Sequence, residues 1–334
     1  MFMRVRSKLK IQLSHGSGGE DTAALIREYF MPRIGSRPLN AMEDAAVLPG
    51  SGQIALTTDS FVVKPLLFPG GDIGRLVVCG SVNDLLAVGA EPRYLSMGFV
   101  LETGLDTDVL ITVLNSIKET AAEASVSIVT ADTKVIEGGG GLIINAAGVG
   151  FVDRRLCISY VSDGDSIIIS GFLGEHHACI LSKRMGIENT IVSDAAPLND
   201  ICSKLKRFRV HAMRDITRGG LSTILHEIAS ACGCRMVINE ASLPVSAPVR
   251  GLCDILGLDP LLMGNEGNMA VFLPSDEAEE AVKIIRSSQY GQNAAIIGHT
   301  ENRNGKKGDV LVKTRIGGTR LAPPLRGEGL PRIC

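Results

Sequence analysis

Five aspartates carry the chemistry of this chain, because each stands in company that makes a purely structural role expensive. Asp44 lies in Glu43-Asp44-Ala45-Ala46, Asp59 in Thr57-Thr58-Asp59-Ser60 and Asp84 in Val82-Asn83-Asp84-Leu85. Asp132 lies in Thr130-Ala131-Asp132-Thr133-Lys134, and Asp215 in Arg214-Asp215-Ile216-Thr217-Arg218-Gly219-Gly220. Three of them follow apolar strand-like runs or interrupt an apolar helix, where a lone carboxylate is costly to bury. A hard divalent cation offsets that cost, and carboxylates hold Mg²⁺ beside nucleotide phosphates in this manner. The adjoining Gly, Ser and Thr let backbone N–H groups and hydroxyls approach phosphate oxygens. Each aspartate alone also reads as a helix cap or turn former. Five in similar settings make that reading hard to hold for all of them. Other ways of gripping a nucleotide are missing. There is no GxxxxGK[ST], and His15-Gly16-Ser17-Gly18-Gly19 fails GxGxxG because Asp21 takes the place of the third glycine. HExxH, GxSxG and the kinase signatures are absent too.

The elements that must position these groups fall into two mixed halves and a tail. Gln53 to Thr58 reads as a buried strand ending at Asp59, and Asp72 as the N-cap of a helix carrying Leu76, Val77, Leu85 and Leu86. Leu95 to Leu101 reads as a strand. Leu110, Val113, Leu114 and Ile117 repeat at amphipathic helical spacing. Further strands are expected at Val126–Thr130 and Leu142–Phe151, and a boundary near Val152–Tyr160. The second half restarts at Ile167-Ile168-Ile169, continues with a helix through Leu221, Ile224, Leu225 and Ile228, and adds strands near Met236–Asn239, Met269–Leu273 and Ala294–Ile297. Neither half alternates cleanly as βαβα, so the expected class is α+β rather than doubly wound. From Ile316 onward, Gly317-Gly318, Pro323-Pro324, Gly327, Gly329 and Pro331 read as an extended, mobile arm ending in Cys334.

Composition narrows the function classes. The 334 residues suggest about two domains. A net charge of −2 and only 4% aromatics, without Trp, give no case for nucleic acid or an anionic membrane. No apolar run is long enough to span a bilayer, and the N-terminus lacks the apolar core of a secretory signal. The eight cysteines form no paired framework, which fits reduced thiols in a cytoplasmic protein. Cys79, Cys179 and Cys253 read as small core fillers, and Cys232-Gly-Cys234 is a weak metal signal.

These segments together resemble the superfamily that includes aminoimidazole ribonucleotide synthetase, selenophosphate synthetase and thiamine-monophosphate kinase. Within it the likeness is to the HypE family of hydrogenase maturation factors, the carbamoyl dehydratases. The likeness covers His15–Gly19, Glu43–Leu48, Thr57–Asp84, Asp132–Val135, Asp215–Leu221, Gly264–Gly267 and the Pro331-Arg332-Ile333-Cys334 ending. The aspartate segments are shared across the superfamily, whereas the Pro-Arg-Ile-Cys ending singles out this family. Ala131 stands where the family has glycine, and His176-His177 where His-Gly is expected.

The resemblance implies a two-domain architecture like that of aminoimidazole ribonucleotide synthetase. An N-terminal segment would take residues 1–39, an ATP-binding and dimerisation domain 40–155, a C-terminal α/β domain 156–312 and a flexible tail 313–334. It implies carbamoylation of Cys334 by a partner carbamoyltransferase, then ATP-driven dehydration to a thiocyanate. The cyano group would pass to the iron of a [NiFe]-hydrogenase site on a scaffold complex of two smaller maturation proteins. By the same resemblance Asp59, Asp84 and Asp215 hold Mg²⁺. Asp44, Thr58, Asn83, Asp132 and the His15–Gly19 loop serve ATP, while Glu266 and Lys134 handle the carboxamide proton. A homodimer is implied, with Leu95–Leu101 as a candidate pairing strand. Two other readings remain open at this stage. One is a sibling synthetase or kinase acting on a free small molecule, and the other is a non-enzymatic maturation scaffold.

Overall fold

The computed structural model describes residues 19–25, 27, 46–50, 52–303, 308–322 and 324–325. His15, Gly16, Ser17, Gly18, Asp44 and Cys334 lie outside them.

The N-terminal half is built on a five-stranded sheet. In chain order its strands are β1 (Ala46–Gly50), β2 (Gly52–Phe61), β5 (Ala90–Glu102), β6 (Ser127–Ile136) and β7 (Leu142–Val152). They lie in the order β1-β2-β7-β5-β6, with only β5 and β6 parallel. Between β2 and β5 run the short β3 (Leu67–Phe68) and β4 (Gly71–Asp72) and then the helix here numbered α2 (Ile73–Ala87), which follows α1 (Glu20–Leu25). The Asp72 carboxylate accepts from the N–H groups of Gly74 (2.6 Å) and Arg75 (3.0 Å), the capping its sequence position predicts. Residues 55, 57, 59 and 61 of β2 alternate toward α2, as a strand's two-residue period requires. Helix α3 (Thr107–Glu123) shows the expected amphipathic pattern, burying Val113 and Ile117. Helix α2 shows no such stripe, because thirteen of its fifteen residues are buried. It is sandwiched between this sheet and the second domain.

The second domain carries a seven-stranded sheet in the order β14-β13-β10-β12-β8-β11-β9. In chain order these are β8 (Asp165–Ile169), β9 (Ala212–Asp215), β10 (Arg235–Asn239), β11 (Met269–Pro274), β12 (Ala295–Glu301), β13 (Val310–Lys313) and β14 (Thr319–Leu321). Both faces are covered, so alternate residues enter different cores. Ile167, Ile169, Ala212, Ala270 and Phe272 join a cluster with the helix Gly220–Cys232. Ile168, Met213, Met269, Val271 and Leu273 join the cluster that also holds Val77, Val78 and Leu86 of α2. One core therefore runs through both domains. Asp215, two residues beyond Met213 on β9, is thereby turned toward α2. The predominantly antiparallel sheets and segregated helices make this an α+β fold.

Two expectations are corrected. Leu95–Leu101 is no exposed pairing edge, since β5 is hydrogen-bonded to β7 on one side and β6 on the other. Nor does an arm begin at Ile316. Leu311 and Lys313 pair with Leu321 and Thr319, so Gly317-Gly318 lies in a hairpin turn, with Gly317 at φ +86°. Beyond it, His226 Nε2 lies 2.7 Å from the Ala322 carbonyl, which fixes the donor on Nε2. Leu325 is buried, and its carbonyl accepts from Glu20 N–H at 2.7 Å. Glycine at position 19 is required there, because a Cβ would fall 2.4 Å from the Leu325 oxygen. Deleting Gly317-Gly318 is expected to unpair β14 and lower the thermal midpoint by several degrees (about 2 °C or more per kcal/mol), rather than trim a free tether. Scanning calorimetry of the deletion variant measures this directly.

Candidate active site

Four carboxylates from four separate segments gather at the domain junction. Asp84 comes from α2, Asp59 from the inner face of β2, Asp215 from the end of β9 and Glu266 from the turn before β11. Burial is the first cause holding the Asp84 carboxyl well above the ordinary carboxylate range, and the charges of Asp215 and Asp59 push it further. Thr57 Oγ1 donates to Asp84 Oδ2 at 2.6 Å and works in the opposite direction. Glu266 is likewise raised well above its usual value, by burial and then by Asp194, Asp59 and Asp215. Asp59 is raised by burial, with partial relief from Arg218 and from the Ser60 N–H, 2.7 Å away. Such a set is unstable when bare and suited to a cation.

Among the described residues no three His, Cys, Asp or Glu side chains converge closely enough to enclose an ion by themselves. Mg²⁺ does not require that, since it keeps several waters and is commonly held by one or two carboxylates together with phosphate oxygens. Asp59, Asp84 and Asp215 fit it on the chemistry of the donor set. These three are hard oxygen ligands, and their mutual repulsion falls when a divalent charge is shared among them.

The expected site residues divide into two groups. Asp59, Asp84, Asp215 and Glu266 come together as described. Thr58, Asp132 and Lys134 lie on the other face of the N-terminal sheet. Ser60, Asn145, Gly98 and Asp132 form one row across β2, β7, β5 and β6, and residues two apart share that face. Thr58 Oγ1 donates to the Ala146 carbonyl at 3.1 Å. Lys134 Nζ donates to Asp132 Oδ2 at 2.8 Å, with both side chains about 70% exposed. Asn83 spends its amide on protein. Its Nδ2 donates to Ala196 O (3.0 Å) and Glu266 O (3.4 Å), while its Oδ1 accepts from Leu198 N–H (3.0 Å). It ties α2 to the second domain beside Glu266.

Sequence reasoning passed over Arg218 and Asp194. Arg218 follows Asp215 within a quoted segment and lowers both Asp59 and Glu266. Asp194 stands in Ser193-Asp194-Ala195-Ala196-Pro197, outside any periodic element. The buried Cys79, Cys179 and Cys253 are core fillers as expected, their thiols pushed upward by burial.

Comparison with known proteins follows the two-domain division. Residues 42–152 match the N-terminal domain of AIR synthase related protein and residues 162–311 its C-terminal domain. The carbamoyl dehydratase HypE of Escherichia coli K12 is 41% identical over 337 aligned positions, covering 97% of this chain and 99% of that one. The chain belongs to the carbamoyl dehydratase HypE family. Among solved structures, HypE in a HypE–HypF complex superposes with a TM-score of 0.86 at 40% identity, covering 90% of this chain and 100% of that one. HypE in complex with ATP superposes with a TM-score of 0.81 at 42% identity, covering 97% and 100%. No helix among the described residues is long and apolar enough to cross a membrane.

Proposed function

We propose that this chain dehydrates an S-carboxamide carried on the Cys334 thiol to a thiocyanate, using ATP, and so supplies cyanide for the iron of a [NiFe]-hydrogenase. The observation that carries this reading is the convergence of Asp59, Asp84, Asp215 and Glu266 at the domain junction, in a chain of the HypE family. An amide oxygen is a poor leaving group until it is phosphorylated. The carboxamide oxygen takes the terminal phosphoryl group of ATP, releasing ADP, while one N–H proton passes to a base and a C=N bond forms. The second N–H proton leaves with the phosphate as the C–O bond breaks, giving S–C≡N and hydrogen phosphate. Glu266, with its proton affinity raised by burial and like charges, is the base for the first of these protons. Asp84, Asp215 and Asp59 would hold Mg²⁺, which neutralises charge on the transferring phosphoryl group. Incubating the carbamoylated chain with ATP and Mg²⁺ and weighing the peptide that contains Cys334 tests the reading. Loss of one water is expected, and an unchanged carboxamide overturns it.

A partner carbamoyltransferase of the HypF kind supplies the carbamoyl group in this reading, and a two-protein scaffold bearing the iron receives the cyanide. A second copy of this chain completes the site. Lys134 and Glu266 belong to different sides of the N-terminal sheet, so one chain does not bring them to the same carboxamide. The outer face that carries Thr58, Asp132 and Lys134 also exposes Leu56, Tyr94 and Phe151 at 43–45% each. An apolar face of this kind is suited to covering by a copy of itself. Lys134→Ala and Glu266→Gln are each expected to be inactive alone. Allowed to exchange subunits, they should recover about a quarter of native activity, because half the dimers are mixed and each has one intact site. Absence of recovery, with exchange verified by native mass spectrometry, refutes the shared site.

A further inference from the structure

We propose that Asp194 is the positioning residue for Glu266, fixing the backbone of the turn that presents Glu266 and setting a negative charge beside it. This rests on Glu266 being the proton-handling group. The geometry is specific. Asp194 Oδ1 accepts from Glu266 N–H at 3.1 Å, and Oδ2 accepts from Asn265 Nδ2 at 2.9 Å and from Gly267 N–H at 3.3 Å. One carboxylate thus binds three consecutive residues of Gly264-Asn265-Glu266-Gly267. Asn265 is fully buried and also donates to the Phe172 carbonyl, while its Oδ1 accepts from Gly174 N–H. Position 267 admits only glycine, since a Cβ would lie 1.9 Å from the Asp194 carbonyl oxygen.

The segment bearing Asp194 is itself held by the other domain. Ser193 N–H donates to Pro69 O at 2.8 Å, Arg75 Nε to Ala195 O at 2.6 Å and Asn83 Nδ2 to Ala196 O at 3.0 Å. The position of Glu266 therefore traces back through Asp194 to α2, the helix that carries Asp84.

Charge follows from the same contacts. Burial raises the Asp194 carboxyl above its ordinary value, and the donors from Asn265, Glu266 and Gly267 work in the opposite direction, toward the ionised form. The groups facing Glu266 are Asp194, Asp59 from β2 and Asp215 from β9, all of which raise its proton affinity, and Arg218, which lowers it. Asp194 is the largest of these charges after burial itself. A carboxylate with raised affinity is a stronger base for a carboxamide N–H, active once the pH is high enough to ionise it.

The test is the pH dependence of single-turnover dehydration of the carbamoylated full-length chain with ATP and Mg²⁺, read as water loss from the peptide containing Cys334. In the native protein the rate rises with pH as Glu266 loses its proton. Asp194→Asn removes a like charge, so this limb should move to lower pH by about one unit. The plateau should fall about three- to tenfold, as the base weakens and its turn loosens. A lower plateau with an unmoved limb overturns the proposal and leaves Asp194 a structural residue. Glu266→Gln separates the two claims, because full activity in that variant removes the Glu266 reading itself. Should Asp194→Asn fail to fold, Asp194→Glu keeps the charge while disturbing the turn. A lower plateau with an unmoved limb is expected for it, and a limb shifted to lower pH, or an unchanged plateau, overturns the proposal.

Discussion

Cys334→Ala is expected to abolish thiocyanate formation completely while leaving ATP binding and any self-association unchanged. The reason is one of location. The other cysteines in the described residues are buried or half-buried within the fold. Burial raises the Cys202 thiol to about 12 and the Cys179, Cys232 and Cys253 thiols to about 11, so these four offer little thiolate at neutral pH. Cys79, Cys157 and Cys234 are buried, away from a partner enzyme. Incubation with carbamoyl donor, transferase and ATP, followed by mass analysis of all cysteine peptides, gives the answer. A carboxamide or thiocyanate found on another cysteine of the variant refutes the assignment.

Asp84→Asn is expected to act in opposite directions on binding and on stability. Without the second carboxylate beside Asp215, Mg²⁺–ATP affinity should fall by at least a hundredfold, as titration calorimetry can measure. The ligand-free protein should become more stable. Asp84 holds its proton more tightly when folded than when unfolded, because burial and two neighbouring carboxylates penalise its charge. Its unfavourable contribution to stability therefore sets in as pH rises past the ordinary carboxylate value. It grows until the raised folded value is passed and stays constant above that. An amide escapes this penalty and can still accept the Thr57 hydroxyl. A gain of about 1 kcal/mol, or about 2 °C in thermal midpoint at neutral pH, is expected, shrinking toward zero in acid. A midpoint that falls at neutral pH, or an unchanged affinity for Mg²⁺–ATP, counts against the role of Asp84.

What was legible in the sequence depended on whether the signal was local. Val113 and Ile117 announce α3 by spacing, and Asp72 announces the start of α2 by its chemistry. Asp84 stands out because an ionisable residue interrupts an otherwise apolar run, the mark of a site rather than of packing. The strand order was not legible. Leu95–Leu101 is apolar enough to cap an edge, yet β6 returns beside it through a parallel crossover, and no local pattern reports that. The tail misled for a similar reason. Gly317-Gly318 has the composition of a loose tether, but pairing with β13 turns it into a hairpin corner. Asp194 gave no motif at all, since its partners lie some seventy residues away and meet it only after both domains have formed.

The anchoring of Leu325 by Glu20 has a consequence for how tightly Cys334 needs to bind anywhere. Nine residue steps separate the two positions, so covalent geometry keeps the thiol within about 30 Å of that anchor. One thiol confined to such a radius has an effective concentration on the order of 10 mM. A dissociation constant in the millimolar range is then enough for substantial occupancy of any site inside the sphere, and so weak a contact breaks readily. Were Cys334 to serve its own catalytic centre and a partner's in turn, as proposed, neither visit would require a strong interface.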